Sequence, residues 1–177
     1  MISILFFLAC CAVNTYVLAY EDDPFAPTVE PPEKIENREM WLNMIKKWKV
    51  PDKGTVGIPA YPGACIIHVQ GHSTMRVNNK KIRTLPVITL ATVDQPEKVV
   101  SFYKENLKGW NYSNDYMSHA FWKEDGHFDP LDIRKTSIIP NLIIYDVSED
   151  MPEVLIPDAR SRIKIVYEPK ESLKDKG

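Results

Sequence analysis

An α+β domain is what this sequence predicts: an antiparallel sheet with a helix packed on one face, joined by an N-terminal amphipathic helix. Three observations carry that prediction. Runs at 64–69, 85–93, 137–147 and 162–167 are rich in isoleucine, valine and threonine, as strands are. Only two stretches space their apolar residues as a helix does. The strand signals cluster around one of those helices, which favours an antiparallel sheet covered on one face. The 177 residues, 44% hydrophobic and 26% charged, suffice for one core and exclude wholesale disorder. A net charge of −2 argues against a nucleic-acid binder that works through a phosphate-seeking surface.

The first element is an export signal. Residues 1–19 carry no charged side chain, and the apolar stretch from Ile2 to Val13 is broken only by Ser3. About a dozen residues are too few to span a hydrocarbon core, which needs roughly 20. They suit the central region of a secretory signal peptide, and Val17 and Ala19 place cleavage before Tyr20. The expected location is therefore periplasmic or extracellular. A competing reading takes Phe7-Leu8-Ala9-Cys10 as a lipoprotein box with the lipid on Cys10, although Phe7 suits that motif poorly. A third takes the stretch as a buried strand. Cleavage after Ala19 removes Cys10 and Cys11 and leaves Cys65, so no intrachain disulfide is expected.

Residues 20–32 hold four prolines and four acids and read as an extended leader. A single domain spans 33–168. In its N-terminal helix, 33–50, Trp41, Met44, Ile45 and Trp48 fall on one stripe. Pro51 closes that helix, and Lys46, Lys47 and Lys49 suit its C-terminal dipole. The stripe is expected to dock on the domain's own core. A tryptophan stripe flanked by lysines also fits a membrane surface, so peripheral membrane association stands as the second reading.

The sheet and helix core occupies 58–168. Strands are expected at 64–69 and 85–93, with Arg76 to Lys81 as a polar hairpin tip in which Asn78 and Asn79 take positive φ. Asp94 is expected as the N-cap of the next helix, with Glu97 completing a capping box and Pro96 in the first turn. That helix runs to about Leu107 and stops at Gly109. Residues 112–122 read as aromatic-rich strand, Asp125-Gly126 as a tight turn, and 137–147 as strand with Pro140 marking an edge or bulge. Residues 162–167 close the sheet, and 169–177 form a charged tail.

Chemistry is sparse. No G-x-x-x-x-G-K, H-E-x-x-H or G-x-S-x-G occurs, so neither a cofactor nor a catalytic residue is assigned. Cys65, His68 and His72 have a metal half-site spacing, but strict alternation along a strand puts Cys65 and His68 on opposite faces. Asp125, His127, Asp129 and Asp132 alternate like calcium ligands without that motif's glycine and glutamate, and a solvated turn accounts for them. Aromatic residues crowd the middle of the chain. Trp110, Tyr112, Tyr116, Phe121 and Trp122 read first as core and second as a groove between helix and sheet. On that second reading the ligand or partner residues are Trp110, Tyr116, His119 and Trp122. Asn111-Tyr112-Ser113 is a glycosylation sequon.

Several segments resemble uncharacterised exported bacterial envelope proteins. They are Ile58-Pro59-Ala60-Tyr61-Pro62-Gly63-Ala64, Thr89-Leu90-Ala91-Thr92, the run Asp94 to Lys104 with Phe102-Tyr103-Lys104, Gly109-Trp110, and Pro157 to Tyr167. The resemblance implies a small α+β envelope or periplasmic domain, often lipid-anchored, and carries over no catalytic residue. Together these readings favour a non-enzymatic exported domain that binds an envelope protein or small ligand. The alternative is a metal-assisted hydrolase using His68, His72, His119 or His127 with nearby aspartates.

Overall fold

The strand-like runs pair as their alternation demands. In the computed structural model the described residues are 25–26, 28–29, 33, 38–115, 118–147 and 155–170. Their elements are α1 (Arg38–Ile45), α2 (Lys53–Val56), β1 (Cys65–Gln70), β2 (Ser73–Val77), β3 (Lys80–Thr84), β4 (Val87–Thr92), α3 (Pro96–Asn106), β5 (Asn111–Asp115), β6 (Ser118–Trp122), α4 (Ile133–Ile138), β7 (Asn141–Asp146) and β8 (Ser161–Val166). Six strands form one antiparallel sheet in the order β1-β4-β8-β7-β6-β5, and β2-β3 form a separate hairpin. The fold is α+β. The export signal, and the residues 34–37 where the first helix was expected to begin, lie outside the described residues.

Residues directly opposite each other in an antiparallel ladder share a face, so the register sorts the sheet into two surfaces. Across the first run Ile66, Leu90, Ile163, Ile144 and His119, and beside them Val69, Ile88, Ile165, Leu142, Phe121 and Tyr112. Helix α3 closes over this face with Val99, Val100 and Tyr103, and most of the aliphatic residues are fully buried. Across the second run Cys65, Ala91, Arg162, Tyr145 and Ser118, and beside them His68, Thr89, Lys164, Ile143 and Ala120. One face is aliphatic; the other has cations and hydroxyls at its centre.

Strand β1 departs from simple alternation. Its register shifts between Ile66 and His68, so Ile67 is the extra residue of a bulge. Ile66 and Val69 therefore both join the first-face core, while Ile67 and His68 both belong to the second. Cys65 and His68 consequently share a face, where strict alternation separates them.

Four further expectations meet corrections. The cap of α3 is Gln95, with no side-chain hydrogen bond. Asp94 sits one residue too early to cap, and its carboxylate instead accepts from the Tyr61 hydroxyl at 2.7 Å and the Lys98 ammonium at 2.9 Å. Residues 137–140 are not strand: α4 reaches Ile138, capped by Asp132, and β7 starts only after Pro140. Residues 112–122 are two strands paired with each other rather than one. The hairpin tip expected at Arg76 to Lys81 does turn through Asn78 and Asn79, at φ +48° and +61°, but it joins two further strands, β2 and β3, rather than the 64–69 and 85–93 runs.

The leader is anchored at Phe25, which is only 2% exposed and packs in the first-face core. The Phe25 amide donates to the Pro51 carbonyl, and Thr28 forms a parallel bridge with Ile66 on β1. Proline content does not register that one phenylalanine in the leader docks on the core. Near the other terminus the Lys170 amide donates to the Thr55 carbonyl, and the Lys170 side chain lies on Gly57, where a Cβ would stand 2.7 Å from it.

Candidate functional site

Of the aromatic residues singled out from the sequence, Trp110, Tyr112 and Phe121 join the first-face core, whereas the proposed groove set of Trp110, His119 and Trp122 is split between the two faces. Trp110 follows Gly109, whose φ of +82° turns the chain at the end of α3, and it packs against the first-face core. His119 is on the same face, ring-stacked with Tyr112 and 2.9 Å from its hydroxyl through Nδ1. Lys104 stands 4.0 Å over the Tyr112 ring. Lost hydration lowers the His119 pKa; Glu97 opposes that shift and Lys104 adds to it. Trp122 is on the opposite face, stacked on Phe128 at 5.4 Å, with Nε1 donating to the Gly126 carbonyl. Tyr116 lies outside the described residues.

The histidines are equally scattered. His68 meets Trp48 edge-on at 6.2 Å, His72 Nδ1 is 2.9 Å from the Thr84 carbonyl, and the His127 carbonyl accepts from Lys135 Nζ. Asp129 and Asp132 are committed to backbone amides, of Leu131 and of Arg134 and Lys135. Among the described residues no group of three or more His, Cys, Asp or Glu side chains is placed to hold a metal ion. Cys65 is half-buried, and burial raises its thiol pKa, which keeps it protonated.

What the structure does assemble is an open groove of about 490 Å³ on the second sheet face. Its floor holds His68 from β1, Thr89 from β4, Arg162 and Lys164 from β8, and Tyr145 from β7. Its wall holds Trp41 and Met44 from α1, Ile67 from the β1 bulge, and Leu155. Each part follows from the fold. Arg162 and Lys164 alternate with the buried Ile163 and Ile165, so strand geometry alone aims both cations away from the core. The register then sets Lys164 between Thr89 and Ile143, and Arg162 between Ala91 and Tyr145. Helix α1 reaches the groove because Ile45 buries against Ile67, Ala91, Leu155 and Ala159.

The electrostatics are those of a partly dry cationic surface. Burial lowers the Lys164 pKa, since losing water penalises the ammonium. Burial raises the Tyr145 phenol, and Arg162 partly offsets that by favouring the phenolate. The Lys164 side chain makes no hydrogen bond or ion pair among the described residues. The described lining holds no aspartate or glutamate, so every polar side chain at its centre can donate to an anion.

Sequence reasoning weighed His68 as a metal candidate and Trp41 and Met44 as a helical stripe, but gave no site role to Thr89, Tyr145, Arg162 or Lys164. Arg162-Ile163-Lys164-Ile165 reads as a strand with a solvated outer face. The signal that distinguishes it is the position of β8 as an interior strand of the sheet, and strand order is not written in local patterning. Comparison with protein-family models, with curated proteins and with solved structures finds no match to this chain. Among the described residues, no helix is long and apolar enough to cross a membrane.

Proposed function

We propose that this chain is an exported, non-enzymatic binding domain of the cell envelope, and that it holds the negatively charged group of a small ligand in the groove over β8. Lys164 carries the reading: a half-buried cation on the floor of an open groove, without a partner among the described residues. A buried cation left unpaired costs folding free energy, and a bound anion removes that cost. Arg162, Thr89 and Tyr145 line the same groove and add donors. Export and envelope location are supported by the uncharged apolar N-terminus, the small residues before Tyr20, and the likeness to exported bacterial proteins. The hydrolase alternative needs histidines that act together, and the four stand in separate places.

Calorimetric titration with acetate, benzoate and inorganic phosphate at low salt tests the binding claim. The expected result is at least one anion that binds saturably and weakens at least tenfold in Lys164→Met. Equal binding by the parent and Lys164→Met discards the site. Native mass spectrometry of protein from the host's exported fraction tests the rest: a chain starting at Tyr20 supports cleaved export, whereas a lipid increment on Cys10 replaces it with anchoring.

A further inference from the structure

A single charge accounts for only half of the groove. The α1 side is apolar, formed by Trp41, Met44, Ile67 and Leu155. It is backed by the buried Ile45 and Ala91, so this wall rests on packed side chains and keeps its shape without a ligand. Met44 is 37% exposed, and its unbranched thioether side chain adapts to whatever lies against it. The polar end is compact by comparison. Lys164 faces Thr89 and Thr89 faces His68 in register, so the polar floor runs roughly 10 Å, two inter-strand spacings, from β8 to β1. Among the described residues Lys164 is the groove's one unpartnered cation, which matches a single negative charge. A polyanion would set further charges against the tryptophan, methionine and leucine of the wall.

Resting on the anion-binding reading above, we propose that the ligand is a monoanionic amphiphile: a carboxylate head on Lys164, with an aliphatic body lying along Trp41, Met44 and Leu155. The Lys164 ammonium and the Thr89 and Tyr145 hydroxyls all donate, as a carboxylate requires. The apolar wall recognises the body by area alone, so its selectivity is for length and not for functional groups. A volume of about 490 Å³ is within the range of small-molecule sites.

The test is calorimetric titration of the full protein with butyrate, hexanoate, octanoate and 1-octanol, with inorganic phosphate as the apolar-free anion. Complete burial of a methylene corresponds to roughly fourfold in affinity, so a partly open groove is expected to give about two- to fourfold for each methylene added. Octanol is expected to bind at least tenfold more weakly than octanoate. Lys164→Met is expected to lose at least tenfold for octanoate, and Lys164→Arg to retain most of it, with urea unfolding showing that both variants fold. A flat carboxylate series matched by phosphate, and lost in Lys164→Met, leaves the anion reading standing and overturns the amphiphile. A rising series that octanol matches overturns the carboxylate head. No binding by any probe overturns both readings.

Discussion

The two faces of the sheet come from the same strands and meet opposite fates. On β8 the residues alternate Arg162, Ile163, Lys164, Ile165. The two isoleucines are fully buried under α3, while the two cations form the floor of an open groove. Their backbones differ by one step along a strand. Side-chain chemistry is thus read out by what covers each position: α3 closes over the aliphatic face, while on the second face α1 packs at Ile67 and Ala91 and leaves the cationic centre to solvent or to a ligand. Stability is concentrated on the first face, and unmet interaction capacity on the second.

That contrast is testable from its largest expected effect downward. Phe25→Ala empties a fully enclosed site in the first-face core, and a loss of about 3–5 kcal/mol is expected by urea unfolding. A loss below about 1 kcal/mol means that the leader is not part of the first-face core. Ile163→Ala, on β8 itself, is expected to cost about 2–5 kcal/mol. Its neighbour has the opposite sign. Lys164→Met exchanges a half-buried, unpaired cation for a side chain of similar length, and a gain of roughly 0.5–1 kcal/mol, discounted for solvent screening, is expected with loss of anion binding. If Lys164→Met destabilises instead, the second face is an ordinary satisfied surface and the contrast fails.

The pH dependence of that gain follows from the lowered Lys164 pKa. The unfolded chain binds more protons than the native one between the lowered value and 10.5, so native stability rises with pH through that window. The advantage of Lys164→Met is therefore largest at neutral pH and vanishes toward pH 10.5, measurable as a converging pair of unfolding midpoints. The smallest effect belongs to His119 on the first face. Its pKa is lowered from 6.5, so the unfolded state takes up the proton first and stability falls as pH drops below about 6.5. His119→Gln is expected to flatten that decline by a few tenths of a kcal/mol. An unchanged acid limb removes His119 from the account.

The sequence carried the sheet far better than the site. Ile88, Leu90, Leu142, Ile144 and Ile163 announce themselves through apolar alternation, because one buried face imposes a period of two along each strand. The end of α3 was equally legible, since only a residue tolerant of positive φ suits Gly109. The cap at its start was not, because the Asp94 carboxylate is engaged by Tyr61, which is distant in the chain, as well as by its i,i+4 neighbour Lys98. Tyr61 is correspondingly pushed up to about 12, chiefly by lost hydration and then by its bond to Asp94. The groove failed for a related reason. Lys164, Thr89, Tyr145 and Trp41 come from four elements far apart in the chain, and Ile67 reaches them only through a bulge that inserts one residue into β1. No window of sequence holds that juxtaposition.

The bridge between Thr28 and Ile66 has a consequence for assembly. A sheet has two lateral borders, and polymerisation by strand addition needs both to be vacant, one to accept and one to offer. The leader occupies the β1 border at Ile66, whereas β5 is the outermost strand at the other end. Strand addition over Ile66 must therefore displace the leader, whereas no isolated bridge from another segment meets β5 among the described residues.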